Sequence, residues 1–333
     1  MTTREHGGNL DEAIARYGGE PTGWIDLSTG INPVPYPIGN VSEKSWSALP
    51  DQRSKSALIA AATMAYGTDA TIVPFAGAQG AIQVVPWLLP KGRAAVVEPT
   101  YNEHAAVLRA VGWHVTGEKD LAGCAGADLA VVVSPNNPDG RTWTAAELLS
   151  LSEQVGLLVI DESFADSEDN PSFTSYINKD AQNIVIMRSF GKFYGLAGLR
   201  LGFAISTGAL ADRLAENAGP WPVSGPAIEI ATRAFRDVEW QDVARRRLQE
   251  DAARLDALAR GAGWRMVGGT GLFRTYETPD ARQAQGHLAR HHIWSRIFSY
   301  SETWIRLGLP RPTAWTQLEN AFSHILQDSI GQS

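Results

Sequence analysis

Short apolar runs alternate with helical segments over the first two thirds of the chain. Uninterrupted apolar runs such as 129–133 are typical of parallel strands that are buried on both faces. The alternation therefore predicts an α/β fold, with a large, mainly parallel sheet covered by helices on both sides. The predicted strands are 71–75, 94–97, 129–133, 156–160, 184–187 and 201–205, and the predicted helices between them are 50–66, 81–89, 103–111 and 144–152.

The pattern changes after residue 209. A helix at 210–218 and a connector rich in proline and glycine precede a long helical stretch, 227–260, which we expect to bend near Asp237. Paired strands and a closing helix at 313–326 follow, which indicates a second, smaller α+β domain. We predict an amino-terminal arm (1–40) that contributes to the small domain and the active site, a large cofactor-binding domain (41–220) and the small domain (221–333).

Composition limits the class of protein. With 44% hydrophobic and 20% charged residues among 333, the chain can bury a substantial core, and its net charge of −7 argues against a nucleic-acid partner or an anionic membrane. One cysteine, Cys124, excludes an intrachain disulfide and a thiolate-rich metal site, so we expect no metal. The start of the chain has no apolar leader, and no apolar stretch is long enough to span a membrane, so we expect a cytoplasmic protein.

The segment 187–200, MRSFGKFYGLAGLR, carries the most specific chemistry. Apolar runs on both sides predict a strand, a tight turn and a strand, with Lys192 in the turn. Burial lowers the pKa of a lysine, and a partly neutral lysine can react with an aldehyde. Ser189 and Arg200 supply a hydroxyl and a bidentate cation that suit a phosphate. The combination indicates pyridoxal 5'-phosphate (PLP), although a solvated surface lysine is the alternative interpretation of this segment.

Further candidate residues follow the predicted strands. Ligands of open α/β sheets bind outside the carboxyl ends of the strands, where the loops from several strands meet. Asp161 can pair with the pyridine nitrogen of PLP, so with Lys192 it forms the predicted catalytic pair. Asn137 can donate to the phenolate oxygen, and Tyr101 either stacks on the ring or belongs to the core. The remaining predicted cofactor contacts are phosphate ligands: the backbone of Ala78 and Gln79, with Ser189 and Arg200.

Three motifs resemble the PLP-dependent enzymes of aminotransferase fold type I, in order and over nearly the whole chain. They are 137–140 (NPDG), 161–164 (DESF) and 189–200 (SFGKFYGLAGLR). Within that superfamily the chain most resembles the L-threonine O-3-phosphate decarboxylase family of cobalamin biosynthesis, which is related to the histidinol-phosphate aminotransferases. The segments 6–9 (HGGN), 26–33 (DLSTGINP), 220–225 (PWPVSG) and 307–310 (LGLP) carry this narrower resemblance.

The resemblance implies decarboxylation of L-threonine O-3-phosphate to (R)-1-aminopropan-2-yl phosphate and CO2, by a homodimer whose active site lies between two domains. It also implies substrate contacts from His6, Asn32, Asn137, Arg296 and Arg306. Surface ion pairs are the alternative for the two arginines. The cofactor contacts are common to decarboxylases and aminotransferases, so a histidinol-phosphate type of aminotransferase remains the second hypothesis, and a non-catalytic PLP-binding module is the third.

Two positions depart from the family pattern. Superfamily members often carry a tyrosine at the position of Phe164, where its hydroxyl donates to the phenolate oxygen of the cofactor. The related aminotransferases carry tyrosine at the position of Leu49, where it reaches the cofactor phosphate of a neighbouring subunit. The departures place more weight on Asn137 and put the contact across subunits in doubt.

Overall fold

The computed structural model describes residues 6–169, 172–177 and 182–330, with side chains up to residue 325. Residues 1–5 of the predicted amino-terminal arm lie outside the described residues. The chain forms two compact units. The large unit comprises residues 35–137 and 141–242, and the small unit comprises residues 1–34, 138–140 and 243–333.

The strands and helices follow the predicted alternation. The strands are β1 Ile25–Asp26, β2 Thr71–Phe75, β3 Arg93–Val97, β4 His114–Glu118, β5 Leu129–Val133, β6 Leu157–Asp161, β7 Ile184–Ser189, β8 Gly202–Ser206, β9 Arg265–Thr270, β10 Phe273–Glu277, β11 Ile293–Trp294, β12 Arg296–Phe298 and β13 Ser301–Gly308. The helices are α1 Leu10–Tyr17, α2 Glu43–Ser47, α3 Gln52–Tyr66, α4 Ala78–Val84, α5 Glu103–Ala110, α6 Ala145–Ser152, α7 Phe190–Phe193, α8 Gly208–Ala218, α9 Gly225–Arg236, α10 Val238–Gly261, α11 Ala281–Arg290 and α12 Trp315–Ile330.

The sheet of the large unit has the strand order β2-β8-β7-β6-β5-β3-β4. From β4 to β7 every neighbouring pair is parallel, whereas β8 is antiparallel to both β7 and β2. Since β2 and β7 both run opposite to β8, they run in the same direction. Six strands therefore end at one edge of the sheet, and β8 begins there. The predicted mainly parallel α/β sheet is confirmed.

Local sequence signals explain where several helices begin. The Asp51 side chain accepts a hydrogen bond from the backbone of Ser54, which caps α3, and Gly67 ends this helix in the left-handed conformation. Thr144 and Glu147 form a capping box at the start of α6.

The long helical stretch breaks at Asp237, where α9 ends and α10 begins. Helix α9 packs against α3 within the large unit, and the Phe235 ring meets the Tyr66 ring edge-on at 5.3 Å. The boundary between the units therefore lies at residue 242/243, after α9, whereas the sequence predicted it near 220. The reason is that α9 buries its apolar face on the large unit and therefore belongs to it. The connector rich in proline that precedes α9 does not reveal this packing.

The small unit is α+β. Strands β12, β13, β10 and β9 form an antiparallel sheet in that order, and β1 pairs in parallel with β11. No helix in the part of the chain that the structure describes is both long enough and apolar enough to span a bilayer.

One ion-pair cluster is buried in the large unit. Arg188, 3% exposed, pairs with Glu162 at 2.9 Å and with Asp166, and its guanidinium lies 4.5 Å from the centre of the Tyr66 ring. The Arg254–Glu319 pair of the small unit is half-exposed instead. Removing one member of a buried pair leaves the other charge uncompensated, whereas exposed pairs contribute little.

We therefore expect Arg188→Met to lower the free energy of unfolding by about 3–5 kcal/mol, because Glu162 and Asp166 lose their cation. The matched change Arg254→Met should cost no more than about 1 kcal/mol. Urea unfolding of the two variants measures both effects. Equal losses would contradict the assignment of Arg188 to a buried, structurally required cluster.

Candidate active site

A cavity of about 130 Å³ opens in the large unit at the edge where the six strands end. All the residues predicted to hold the cofactor line this cavity: Ala78, Gln79, Tyr101, Asn137, Asp161, Ser189, Lys192 and Arg200. Ile82, Val133, Ser163 and Phe164 complete the lining. The loops converge because parallel strands bring their carboxyl ends to the same edge.

Lys192 lies in a one-turn helix, α7, and not in the tight turn that the sequence predicted. The Phe190 ring stacks on the Tyr194 ring at 4.3 Å and meets the Phe235 ring of α9 edge-on at 5.4 Å, which packs this turn of helix against the core. A side chain at Gly191 would approach the Cα of Ala197 to 2.8 Å, so the following loop closes over the helix. Lys192 is half-buried, and its Nζ lies 5.6 Å from the centre of the Phe164 ring.

Asp161 is 3% exposed at the end of β6. Its Oδ2 lies 2.8 Å from His104 Nε2, and its Oδ1 accepts a hydrogen bond of 2.9 Å from the backbone of Ser163. Burial acts to raise the pKa of this carboxyl, but the contacts with His104 and Ser163 outweigh burial and lower it. The carboxylate is therefore ionised at neutral pH.

His104 was not predicted from the sequence. It is 2% exposed in the first turn of α5, and its ring meets the Tyr101 ring edge-on at 6.1 Å. The only signal in the sequence is a histidine close behind a predicted loop residue, which does not distinguish a partner of Asp161 from a surface side chain.

One end of the cavity carries anion-binding groups. Ser189 ends β7, and Arg200 adopts the left-handed conformation (φ 54°) just before β8. A side chain at Gly77 would lie 2.6 Å from Arg200 Nη2, so the guanidinium sits directly over the turn that begins α4. The backbone of Ala78 and Gln79, a hydroxyl and a guanidinium thus meet around one space, and such a set suits a phosphate.

Tyr101 lines the cavity and also packs against the core of the large unit. Its hydroxyl donates to Gln79 Oε1 at 3.4 Å, and Gln79 Nε2 donates to Glu103 Oε2 at 3.2 Å. These bonds connect the loop after β3 with the first turn of α4.

Four of the predicted substrate contacts lie in the small unit: His6, Asn32, Arg296 and Arg306. Asn137, the fifth, lies in the large unit.

The strands β12 and β13 place Arg296 directly opposite Arg306. Arg306 is 4% exposed, and its Nη2 donates to the backbone oxygen of Ser28 at 2.6 Å. Burial, followed by the charge of Arg296, lowers the pKa of Arg306 to about 9, which leaves the guanidinium charged at neutral pH. Arg306 is therefore not part of a surface ion pair, whereas Arg296 is half-buried.

The amino-terminal segment contacts Ser28, the residue to which Arg306 also donates. His6 is exposed, and the backbone of Gly8 donates to Ser28 Oγ at 2.7 Å. Asn32 is 2% exposed, and its Oδ1 accepts hydrogen bonds from Arg247 and from the backbone of Val34. No group of three or more His, Cys, Asp or Glu side chains among the described residues has the arrangement of a metal site.

Comparison with known proteins agrees with the fold. The model of the family described as aminotransferase class I and II matches residues 40–325. The chain therefore belongs to the class I and II aminotransferase family.

Within this family, the chain is similar over most of its length to proteins named threonine-phosphate decarboxylase. One from a Sinorhizobium species is 43% identical over 91% of this chain and 92% of its own length. One from Pseudomonas aeruginosa is 40% identical over 95% of this chain and 96% of its own length. A crystal structure of histidinol-phosphate aminotransferase from Sinorhizobium meliloti in complex with PLP has a TM-score of 0.86, with 18% identity over 98% of this chain and 96% of that chain. At 18% identity, this structural similarity supports the assignment of the fold alone.

The contact between Asp161 and His104 predicts a shift in acid stability. A carboxyl whose pKa is lowered in the folded state stabilises the protein above its unfolded pKa of about 4, and this contribution is lost as the pH falls through the folded value. We expect His104→Phe to raise the folded pKa of Asp161, because the carboxylate stays buried while its partner is lost.

The unfolded pKa sets where this loss begins, and the substitution does not change it, so His104→Phe should be less stable than the wild type at neutral pH and should lose less stability on acidification. Urea unfolding at a series of pH values from about 7 to about 2 measures the difference. His114→Phe is the matched control, because His114 is exposed on β4. Parallel curves for the wild type and His104→Phe would contradict the role given to His104.

Proposed function

We propose that this protein is a PLP-dependent decarboxylase that converts L-threonine O-3-phosphate to (R)-1-aminopropan-2-yl phosphate and CO2. The observation that carries the reaction is the similarity, at 40% identity or more and over more than 90% of both chains, to two proteins named threonine-phosphate decarboxylase. By sequence, a protein named histidinol-phosphate aminotransferase from Symbiobacterium thermophilum is 30% identical over only 53% of this chain.

The cavity of the large unit fits PLP by the chemistry of its lining. Lys192 supplies the amine for the aldehyde, Asp161 supplies a buried carboxylate, and Ser189 and Arg200 face the anion-binding end. When bound, PLP accepts the electron pair left on the substrate Cα after a bond to that atom breaks. Asp161 would favour this chemistry, because it is an ionised carboxylate held by His104 and would keep the pyridine nitrogen protonated.

The remaining cavity residues orient the cofactor and move protons. Ser189, Arg200 and the backbone of Ala78 and Gln79 would hold the phosphate. Asn137 would donate to the phenolate oxygen, and its role gains weight because Phe164 offers no hydroxyl. After CO2 has left, the ammonium form of Lys192 would return a proton to Cα.

The small unit would bind the two anionic groups of the substrate. Arg296 and Arg306 occupy facing positions on neighbouring strands, and their guanidinium groups would contact a carboxylate and a phosphate dianion. With Asn137, His6 and Asn32 they would select the bond that breaks, because they decide which substituent of Cα stands perpendicular to the cofactor ring.

We also infer that the protein forms a homodimer, as the family resemblance implies. Leu49 is 65% exposed and carries no hydroxyl, so it cannot supply the phosphate contact made by tyrosine in the related aminotransferases. In this protein the phosphate depends instead on ligands of the same subunit.

The proposed reaction needs no oxo acid. PLP-loaded protein incubated with L-threonine O-3-phosphate should release one equivalent of CO2 for each equivalent of amine formed. Lys192→Ala should lower kcat by about a thousandfold or more, since it removes the group that exchanges protons with Cα. Lys91→Ala, at an exposed position, is the control. Turnover of histidinol phosphate only with 2-oxoglutarate would support an aminotransferase in its place.

The Phe164 position makes a separate prediction. In Phe164→Tyr, a hydroxyl beside the cofactor adds a hydrogen-bond donor to its phenolate oxygen. The pH midpoint of the visible absorption band of the PLP-loaded protein should therefore fall by about one unit, the equivalent of one hydrogen bond. Phe164→Leu offers no donor and should leave the midpoint where it is. A midpoint that shifts equally in both variants would show that packing, and not the donor, causes the change.

A further inference from the structure

Arg247 joins helix α10 to the loop that carries Asn32. Its Nη2 lies 2.6 Å from Asn32 Oδ1, and its Nη1 pairs with Asp251 Oδ2 at 3.3 Å. The backbone nitrogen of Val34 donates to the same oxygen of Asn32 at 3.0 Å. The arginine and the asparagine are 215 positions apart in the chain, and both belong to the small unit.

These two donors decide which way the Asn32 amide points. A guanidinium and a backbone N–H can donate hydrogen bonds but cannot accept them. The atom that faces both groups must therefore be the amide oxygen, because the amide nitrogen would place donor against donor. Since the amide is planar, its NH2 group points away from Arg247. Asn32 is 2% exposed, so this orientation is held inside the protein.

We propose that Arg247 is a positioning residue that holds Asn32 with its NH2 group directed at an anionic group of the substrate. This inference rests on the proposed function, in which Asn32 is one of the anion contacts. The NH2 group can donate to a phosphate or carboxylate oxygen, whereas a flipped amide would present its own oxygen and repel the anion. Asp251 accepts a hydrogen bond from the other arm of the guanidinium and so fixes Arg247 in place. In this proposal Arg247 affects the substrate through Asn32.

A purely structural role for Asn32 is the competing explanation. The hydrogen bond from the Val34 backbone to the Asn32 side chain closes a turn. On this explanation, Asn32 is required only because it stabilises the turn. The variant Asn32→Asp separates the two roles. Aspartate keeps an oxygen for Val34 and Arg247, but it replaces the NH2 group by a second, negatively charged oxygen.

The test is steady-state CO2 release from L-threonine O-3-phosphate by the PLP-loaded wild type and its variants. We expect Asn32→Asp to keep the melting temperature of the wild type and to raise KM by about tenfold or more. Arg247→Met should raise KM by about tenfold while kcat changes less, and Arg247→Lys should recover part of the loss because lysine also donates. Arg254→Met, on the same helix, is the control and should leave both constants unchanged.

The double variant Asn32→Asp with Arg247→Met should have a KM no higher than that of Asn32→Asp alone, because the donor that Arg247 orients is already missing. A KM within twofold of the wild type in folded Arg247→Met would overturn the positioning role. So would a lowered melting temperature with an unchanged KM in Asn32→Asp, which is the result of a structural turn.

Failure of the proposed function is distinguishable from failure of this inference. If the PLP-loaded wild type releases no CO2, the proposed reaction is wrong. The shift in melting temperature caused by inorganic phosphate then tests Asn32 directly. A shift that is smaller in Asn32→Asp and Arg247→Met, but not in Arg254→Met, supports the positioning role, and equal shifts in all proteins overturn it.

Discussion

The direction of the strands in the large sheet is the constraint on which the candidate active site depends. Six strands end at one edge, and β8, which runs the other way, begins there. That reversal brings Arg200 to the same edge as Lys192, although one precedes a strand and the other follows one. The amine, the carboxylate and the anion-binding groups therefore come from separate loops that only the sheet brings together.

Buried charge is the second feature that the fold has to support. Asp161 is almost fully buried, and it remains ionised because His104 and the Ser163 backbone compensate for the loss of water. Arg306 is also almost fully buried, with Arg296 beside it, which disfavours its charge. An anionic ligand would relieve this electrostatic cost, which is why we propose that these two arginines contact the substrate.

Some of the fold was predictable because its signal is local. The runs at 129–133 and 157–161 are apolar at nearly every position, since these strands are buried on both faces. Strand β4, His114–Glu118, was not predicted, because it lies at the edge of the sheet and its residues are partly exposed. The boundary at 242/243 was also missed, since it depends on the packing of α9 against α3 and not on the composition of a connector.

The sequence by itself determined the α/β class, the second α+β domain, and which residue types could serve PLP and an anionic substrate, because strand periodicity and the motif around Lys192 are properties of neighbouring residues. The tertiary structure decided that Lys192 lies in a turn of helix, that His104 supports Asp161, and that Arg247 orients Asn32. Those contacts join residues that lie far apart in the chain, 57 positions for His104 and Asp161. A pattern of hydrophobic and polar positions does not reveal such pairs, since only the packed fold brings the two residues within hydrogen-bonding distance.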